Sequence, residues 1–160
     1  MWDGAGIDEL RERMVCDGKE TWFSPGFASV SRIEYDAYLY SGSGPVRVIL
    51  GKALYADLEP GANGKALLHQ GNPAYPLVKS HGGAQTYMRY TGVLTVENGT
   101  AAWVIGSRSF RKEQLRTPIT APVRIGFGHT HCKVMFDNIT ITGMLGPDVL
   151  NAVAAQQSVQ

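Results

Sequence analysis

The sequence predicts an all-β domain, a two-sheet sandwich of short antiparallel strands. Three observations lead there. Nineteen glycines and eight prolines are scattered along the 160 residues rather than gathered in one tract, as many turns between short strands require. From Glu20 onward the apolar residues recur mostly with a period of two. No helical segment lies between the strand-like runs to act as a crossover, which argues against a parallel α/β arrangement. A chain of this length suits one domain with a sizeable core.

In chain order, residues 1–19 read as an N-terminal segment, 20–143 as the sandwich and 144–160 as a C-terminal helix and tail. Ile7, Leu10 and Met14 stand at helical spacing with charges between them and predict a short amphipathic helix over 7–14. In Ile33–Tyr40 the set Ile33, Tyr35, Ala37, Leu39 alternates with Glu34, Asp36, Tyr38, Tyr40, the pattern of a half-buried strand. Ser41–Gly44 then breaks the chain and Val46–Leu50 follows, so the two runs read as a hairpin. Residues 51–83, with Gly, Pro, Asn and His between short apolar pieces, read as a long loop with one or two edge strands. Regularity returns in Gln85–Tyr90 and Val93–Glu97, and Asn98-Gly99 before Ala101–Ile105 is the clearest hairpin signal, because a type I′ turn needs two positive φ angles.

A polar, basic loop over 106–121 carries Arg108, Arg111, Lys112 and Arg116. Val123, Ile125 and Phe127 then share one face. Along Lys133–Thr142 the phase slips: Val134 and Phe136 have one parity, Ile139 and Ile141 the other, and a bulge near Asp137-Asn138 would bring all four to the core. Pro147 suits a first helical position, with Val149, Leu150 and Val153 as a narrow stripe, so a short helix is predicted at this end as well.

The formal net charge of +1 gives no electrostatic case for a nucleic-acid partner. No apolar run approaches the roughly 20 residues that span a bilayer, and no signal peptide is evident at Met1–Gly6. An extracellular or surface location is favoured if the chain is part of a longer protein. Cys16 and Cys132 either pair across a long loop or remain two free thiols. No cofactor motif is present, since the Gly-Ser-Gly pieces follow turns instead of opening a helix.

Pro122–Gly143 (PVRIGFGHTHCKVMFDNITITG) resembles the closing strands of concanavalin A-like lectin/glucanase jelly rolls, including laminin-G-like modules. SRIEYDAYLYSGSGPVRVIL resembles an early hairpin of such domains, and GVLTVENGTAAWVI another of their hairpins. The resemblance covers about half the chain. It implies a jelly-roll sandwich whose family functions are dominated by glycan binding or glycan cleavage.

Cleavage needs two carboxyl groups across the scissile bond. Glu34 and Asp36 share a strand face, and glucanases of this superfamily continue such a motif with a further Glu; Tyr38, Leu39 and Tyr40 stand there instead. No catalytic residue is therefore assigned. Sugar binding wants flat rings and planar polar groups, and Glu34, Asp36, Tyr38, Tyr87 and Arg89 would provide both on one concave sheet, although Tyr87 and Trp103 also suit a core. His129 and His131 are weak metal candidates, with His69 and His81 as conceivable further ligands. Cys132 beside His131 is a nucleophile candidate without a visible orienting residue. The basic loop suits a phosphate, a sulfated glycan or an acidic partner. Asn98-Gly99-Thr100 and Asn138-Ile139-Thr140 match the glycosylation pattern, the first at a hairpin tip and the second inside a strand. The expectation is a non-catalytic module that binds an oligosaccharide or polysaccharide. The alternatives are a structural subunit of a surface, fibre or virion that forms a homo-oligomer, and a glycan-active enzyme of unrecognised type.

Overall fold

The computed structural model describes residues 2–3, 6–8 and 13–147. They form a single antiparallel sheet curled on itself, built from β1 (Trp2–Asp3), β2 (Gly6–Asp8), β3 (Arg13–Asp17), β4 (Thr21–Gly42), β5 (Val46–Leu50), β6 (Leu54–Leu58), β7 (Lys65–His69), β8 (Val78–His81), β9 (Arg89–Glu97), β10 (Thr100–Ile105), β11 (Arg108–Ser109), β12 (Glu113–Gln114), β13 (Val123–Phe127) and β14 (Cys132–Leu145).

The spine is β4, 22 residues long. Along one edge it pairs with β14 from Phe27 to Gly42. Along the other it pairs first with β13, through Thr21–Phe27, and then with β9, through Arg32–Tyr38. Its first half therefore belongs to a layer continuing through β13, β5, β6, β7 and β8, and its second half to a layer of β3, β14, β9 and β10. The layers meet over a core in which Tyr35 of β4 touches Phe127 of β13 edge-on, with ring centroids 6.5 Å apart, and Phe136 of β14 at 6.1 Å. Trp103 of β10 is buried against them and donates its indole N–H to the Tyr35 hydroxyl at 3.2 Å. Burial raises the Tyr35 phenol far above its ordinary range, so this hydroxyl stays neutral.

Period-two alternation delivers this arrangement in β4, where Ile33, Tyr35, Ala37 and Leu39 are buried and their neighbours are not. The Asn98-Gly99 turn forms as expected, with φ of 51° and 74°. The phase slip in β14 is a bulge: the register shifts between Asp137 and Thr140, Asn138 has φ 50°, and Ile139 and Ile141 pack on the core beside Val134 and Phe136.

Four expectations are corrected. The helix over 7–14 is absent where described: Gly6–Asp8 and Arg13–Asp17 are paired strands, and β3 extends the sheet beyond β14, with Met14 opposite Phe136. Non-local pairing that buries Met14 and Cys16 outweighs the local helical spacing. Ile33–Tyr40 and Val46–Leu50 are not a hairpin, because β5 pairs with β13 and β6, and the intervening turn crosses from one layer to the other. Residues 51–83 hold three strands, β6, β7 and β8, of the layer that continues from β13. They are hard to read because the strands are only five residues long or shorter and the outward side of β5, β6 and β7 is largely buried too, with Arg47, Asp57 and His69 among the apolar residues instead of a solvated polar face. The strand expected at Gln85–Tyr90 begins only at Arg89. The predicted C-terminal helix, with Val149, Leu150 and Val153, lies outside the described residues apart from Pro147.

Candidate functional site

The face of the β14–β4–β9 layer that points away from the core carries the residues selected from the sequence. Glu34, Asp36, Tyr38 and Tyr40 project together because they alternate with the buried set of β4. Arg89 sits directly opposite Tyr38 on β9, and Thr91 opposite Asp36. On the other edge Asp137 of β14 pairs with Asp36. Tyr87 lies just before β9, tied by its backbone N–H to the carbonyl of Leu39 at 2.8 Å.

Asp36 is the hub. One carboxylate oxygen accepts the Thr91 hydroxyl at 2.6 Å; the other accepts the Asn138 amide at 2.8 Å and the Arg89 guanidinium at 3.2 Å. Partial burial opposes the charge, but these donors outweigh it and hold the carboxyl below its ordinary range. Arg89 also reaches Asp137 at 3.7 Å and remains 44% exposed. The β14 bulge is what turns Asn138 toward Asp36, a placement that sequence spacing alone does not reveal. Glu34 is paired with Arg32 at 2.7 Å.

Beside this polar cluster stand three tyrosines. Tyr38 and Tyr40 meet edge to face at 5.0 Å, and the Tyr87 ring lies tilted against Tyr38 at 6.3 Å. Lys133 lies over the Tyr40 ring at 5.6 Å. Tyr87 is 70% exposed and sits at φ 62°, a conformation a bulky residue rarely adopts. Of the two aromatics with an alternative core reading, Trp103 is in the core and Tyr87 is not.

The remaining candidates are placed elsewhere. The His129 and His131 rings are 5.5 Å apart, and the Nδ1 of His129 accepts the His131 backbone N–H at 3.1 Å. Burial, then Arg47, pushes His129 below its ordinary value. Among the described residues no group of three His, Cys, Asp or Glu converges on a metal position. Cys16 and Cys132 are free, buried thiols. Burial raises both, Cys132 to about 11, so Cys132 is not an activated nucleophile. The basic loop is dispersed: Arg108 and Arg116 hold backbone carbonyls of His81 and Tyr75, while Arg111 and Lys112 face Glu113 and Glu97.

One constellation was missed. On the outward face of the β5–β6–β7 layer, Asp57 accepts both nitrogens of an Arg47 fork at 2.7 and 2.8 Å and contacts the Nε2 of His69 at 2.8 Å. Asp57 and His69 are almost fully buried, and His69 stacks flat on Tyr55 at 5.1 Å. Burial opposes the Asp57 charge, but Arg47 and His69 overcome it and keep the carboxyl below its usual range. The sequence signal was an Arg and an Asp at facing positions of β5 and β6 with a His one diagonal step away on β7, opposite Tyr55, legible only once those strands are paired.

No protein family model and no curated protein sequence matches the chain. Solved structures do match in fold. A carbohydrate-binding module from Bacillus subtilis superposes with TM-score 0.64 at 13% identity, covering 89% of this chain and 95% of that one. A galectin from Caenorhabditis elegans gives 0.53 at 14%, covering 86% and 99%. An alginate lyase gives 0.63 at 10%, covering 88% and 78%. These neighbours are jelly-roll β-sandwiches of the concanavalin A-like type, and at these identities the likeness shows a shared antiparallel β-sandwich fold and that alone. Among the described residues no helix is long and apolar enough to cross a membrane.

Proposed function

We propose that the chain is a non-catalytic carbohydrate-binding module whose sugar lies on the outward face of β4 and β9. The observation that carries this reading is the step from an aromatic patch, the half-buried Tyr38 and Tyr40 with the exposed Tyr87, to a fixed polar cluster, Asp36, Arg89 and Asn138. Pyranose rings offer C–H faces that stack on tyrosines and hydroxyls that pair with planar polar groups. The cluster's internal hydrogen bonds orient Arg89 before any ligand arrives, which lowers the ordering cost of binding. Glu34, paired with Arg32, forms the rim of the patch.

The same geometry disfavours hydrolysis here. A glycosidase needs one carboxyl kept protonated as general acid. Asp36 is shifted in the opposite direction, below its ordinary range, and shares Arg89 with its neighbour Asp137.

The test is a glycan-array screen of the purified chain, with its mass followed by light scattering. Binding to a defined sugar class, weakened about tenfold or more by Tyr38→Ala or Arg89→Ala, is the expected result, since losing one stacking or bidentate contact is worth about 1.4 kcal/mol. A glycan bound with unchanged affinity by both variants would move the site off this face, and an oligomer without sugar binding would favour an assembly role.

A further inference from the structure

We infer that a second site, on the opposite layer, binds an anionic saccharide, its carboxylate or sulfate held between Lys65 and Lys79. The segment 70–77 folds back over the outward face of β7 and β8 and leaves a cleft of about 330 Å³ lined by Glu59, Lys65, Leu67, Pro73, Pro76 and Lys79. Pro73 and Pro76 are apolar surface of the kind a sugar's C–H face covers, over a buried Leu67 floor. Lys79 lies directly across from Leu67 in the β7–β8 pairing, and Lys65 is two residues away on the same face of β7. Neither ammonium has a carboxylate within ion-pair distance among the described residues. The single acid in the lining, Glu59, accepts the backbone N–H of Lys65 at 2.9 Å. Two lysines against one engaged carboxylate leave a positive cleft, and charge complementarity selects an anion.

The wall of this cleft is built rigid. The N–H of Gly71 donates to the Nδ1 of His69 at 3.2 Å, and the amide N–H of Ala74 to the Asn72 side chain at 3.0 Å. Arg116 holds the carbonyls of Tyr75 and Pro76, and Gln70 bonds the backbone of Arg116 and Thr117. His69 is itself fixed by Asp57, and Asp57 by Arg47. A buried ionic network on an outward sheet face is costly to assemble. Its visible consequence is to fix the residue on which segment 70–77 turns, so the cleft exists before a ligand enters.

The site is independent of the β4–β9 face, and its test separates the two. The whole chain is titrated calorimetrically with a short oligogalacturonate, a sulfated galactan oligosaccharide and an uncharged galactan oligosaccharide of equal length, at low and high salt. One or both anionic probes bind, more weakly at high salt, while the uncharged probe does not. Lys79→Gln weakens that binding at least about fivefold and the double variant Lys65→Gln/Lys79→Gln abolishes it, and the same differences between probes and between variants persist in a Tyr38→Ala background, where the β4–β9 face no longer contributes. Which anionic probe binds names the group recognised. Failure of both anionic probes, equal binding of the uncharged probe, or unchanged affinity in the double variant overturns the inference.

Discussion

At the residue scale, Tyr87 states the case most sharply. A tyrosine at φ 62° carries backbone strain of about 1–3 kcal/mol, and a side chain 70% exposed recovers little of it by packing. Such residues persist where the exposed side chain is useful, here beside Tyr38. Tyr87→Gly relieves the strain and is expected to hold or raise the melting temperature while weakening glycan binding; a fall in both would mean that the ring serves the fold. Asp57 makes the contrasting case. Asp57→Asn leaves the Arg47 guanidinium without its counter-charge, at an expected cost of about 3 kcal/mol in chemical denaturation. The sign of its pH dependence follows from its lowered folded value. The stabilisation is fully present above the unfolded carboxyl value near ~3.9 and disappears as pH falls through the lower folded value. The variant's stability should therefore decline less steeply on acidification than that of the parent chain.

At the element scale, the two layers differ in how openly their sequences declare them. In β4 one face is solvated, so Ile33–Tyr40 alternates cleanly, and the face bearing Glu34, Asp36, Tyr38 and Tyr40 can be read from the sequence. In β6 and β7 burial does not alternate, because segment 70–77 and the Arg47–Asp57–His69 network cover the outward side as well. Partnership was harder to read than face. The loop Ser41–Gly44 has the composition of a hairpin turn, yet β5 is drawn to β13 and β6, where Val48 and Leu50 join the core. In the β4–β9 pairing, Gly92 lies opposite Tyr35, whose ring occupies the space a side chain would need. Gly92→Ala should cost roughly 1–3 kcal/mol by overpacking and displace the Tyr35–Trp103 hydrogen bond. A loss of stability with a shifted tryptophan emission maximum would bear this out.

At the scale of the whole molecule, β4 contributes hydrogen bonds to both layers, so neither layer can lose it without disturbing the other. This predicts one cooperative unfolding transition. Trp22 pairs with Gly126 in the β13 layer and Trp103 with Leu94 in the β9 layer. Within each variant that keeps one of these tryptophans and replaces the other, tryptophan emission and far-UV circular dichroism should give the same denaturation midpoint; midpoints that separate between the two probes would show that the layers unfold independently. The closing strands could be recognised in advance because the bulged Asp137-Asn138 segment is a local pattern. The Arg47–Asp57–His69 network could not, since it depends on a register three strands wide.

The central claim is that the tyrosine-and-carboxylate face of β4 and β9 holds a sugar. The most direct measurement is a glycan-array profile of the parent chain beside Tyr38→Ala/Tyr87→Ala, with both melting temperatures recorded. The account predicts that the parent binds a defined sugar class which the folded double variant no longer binds. A parent chain that binds no glycan, or a variant with an unchanged profile, would contradict it.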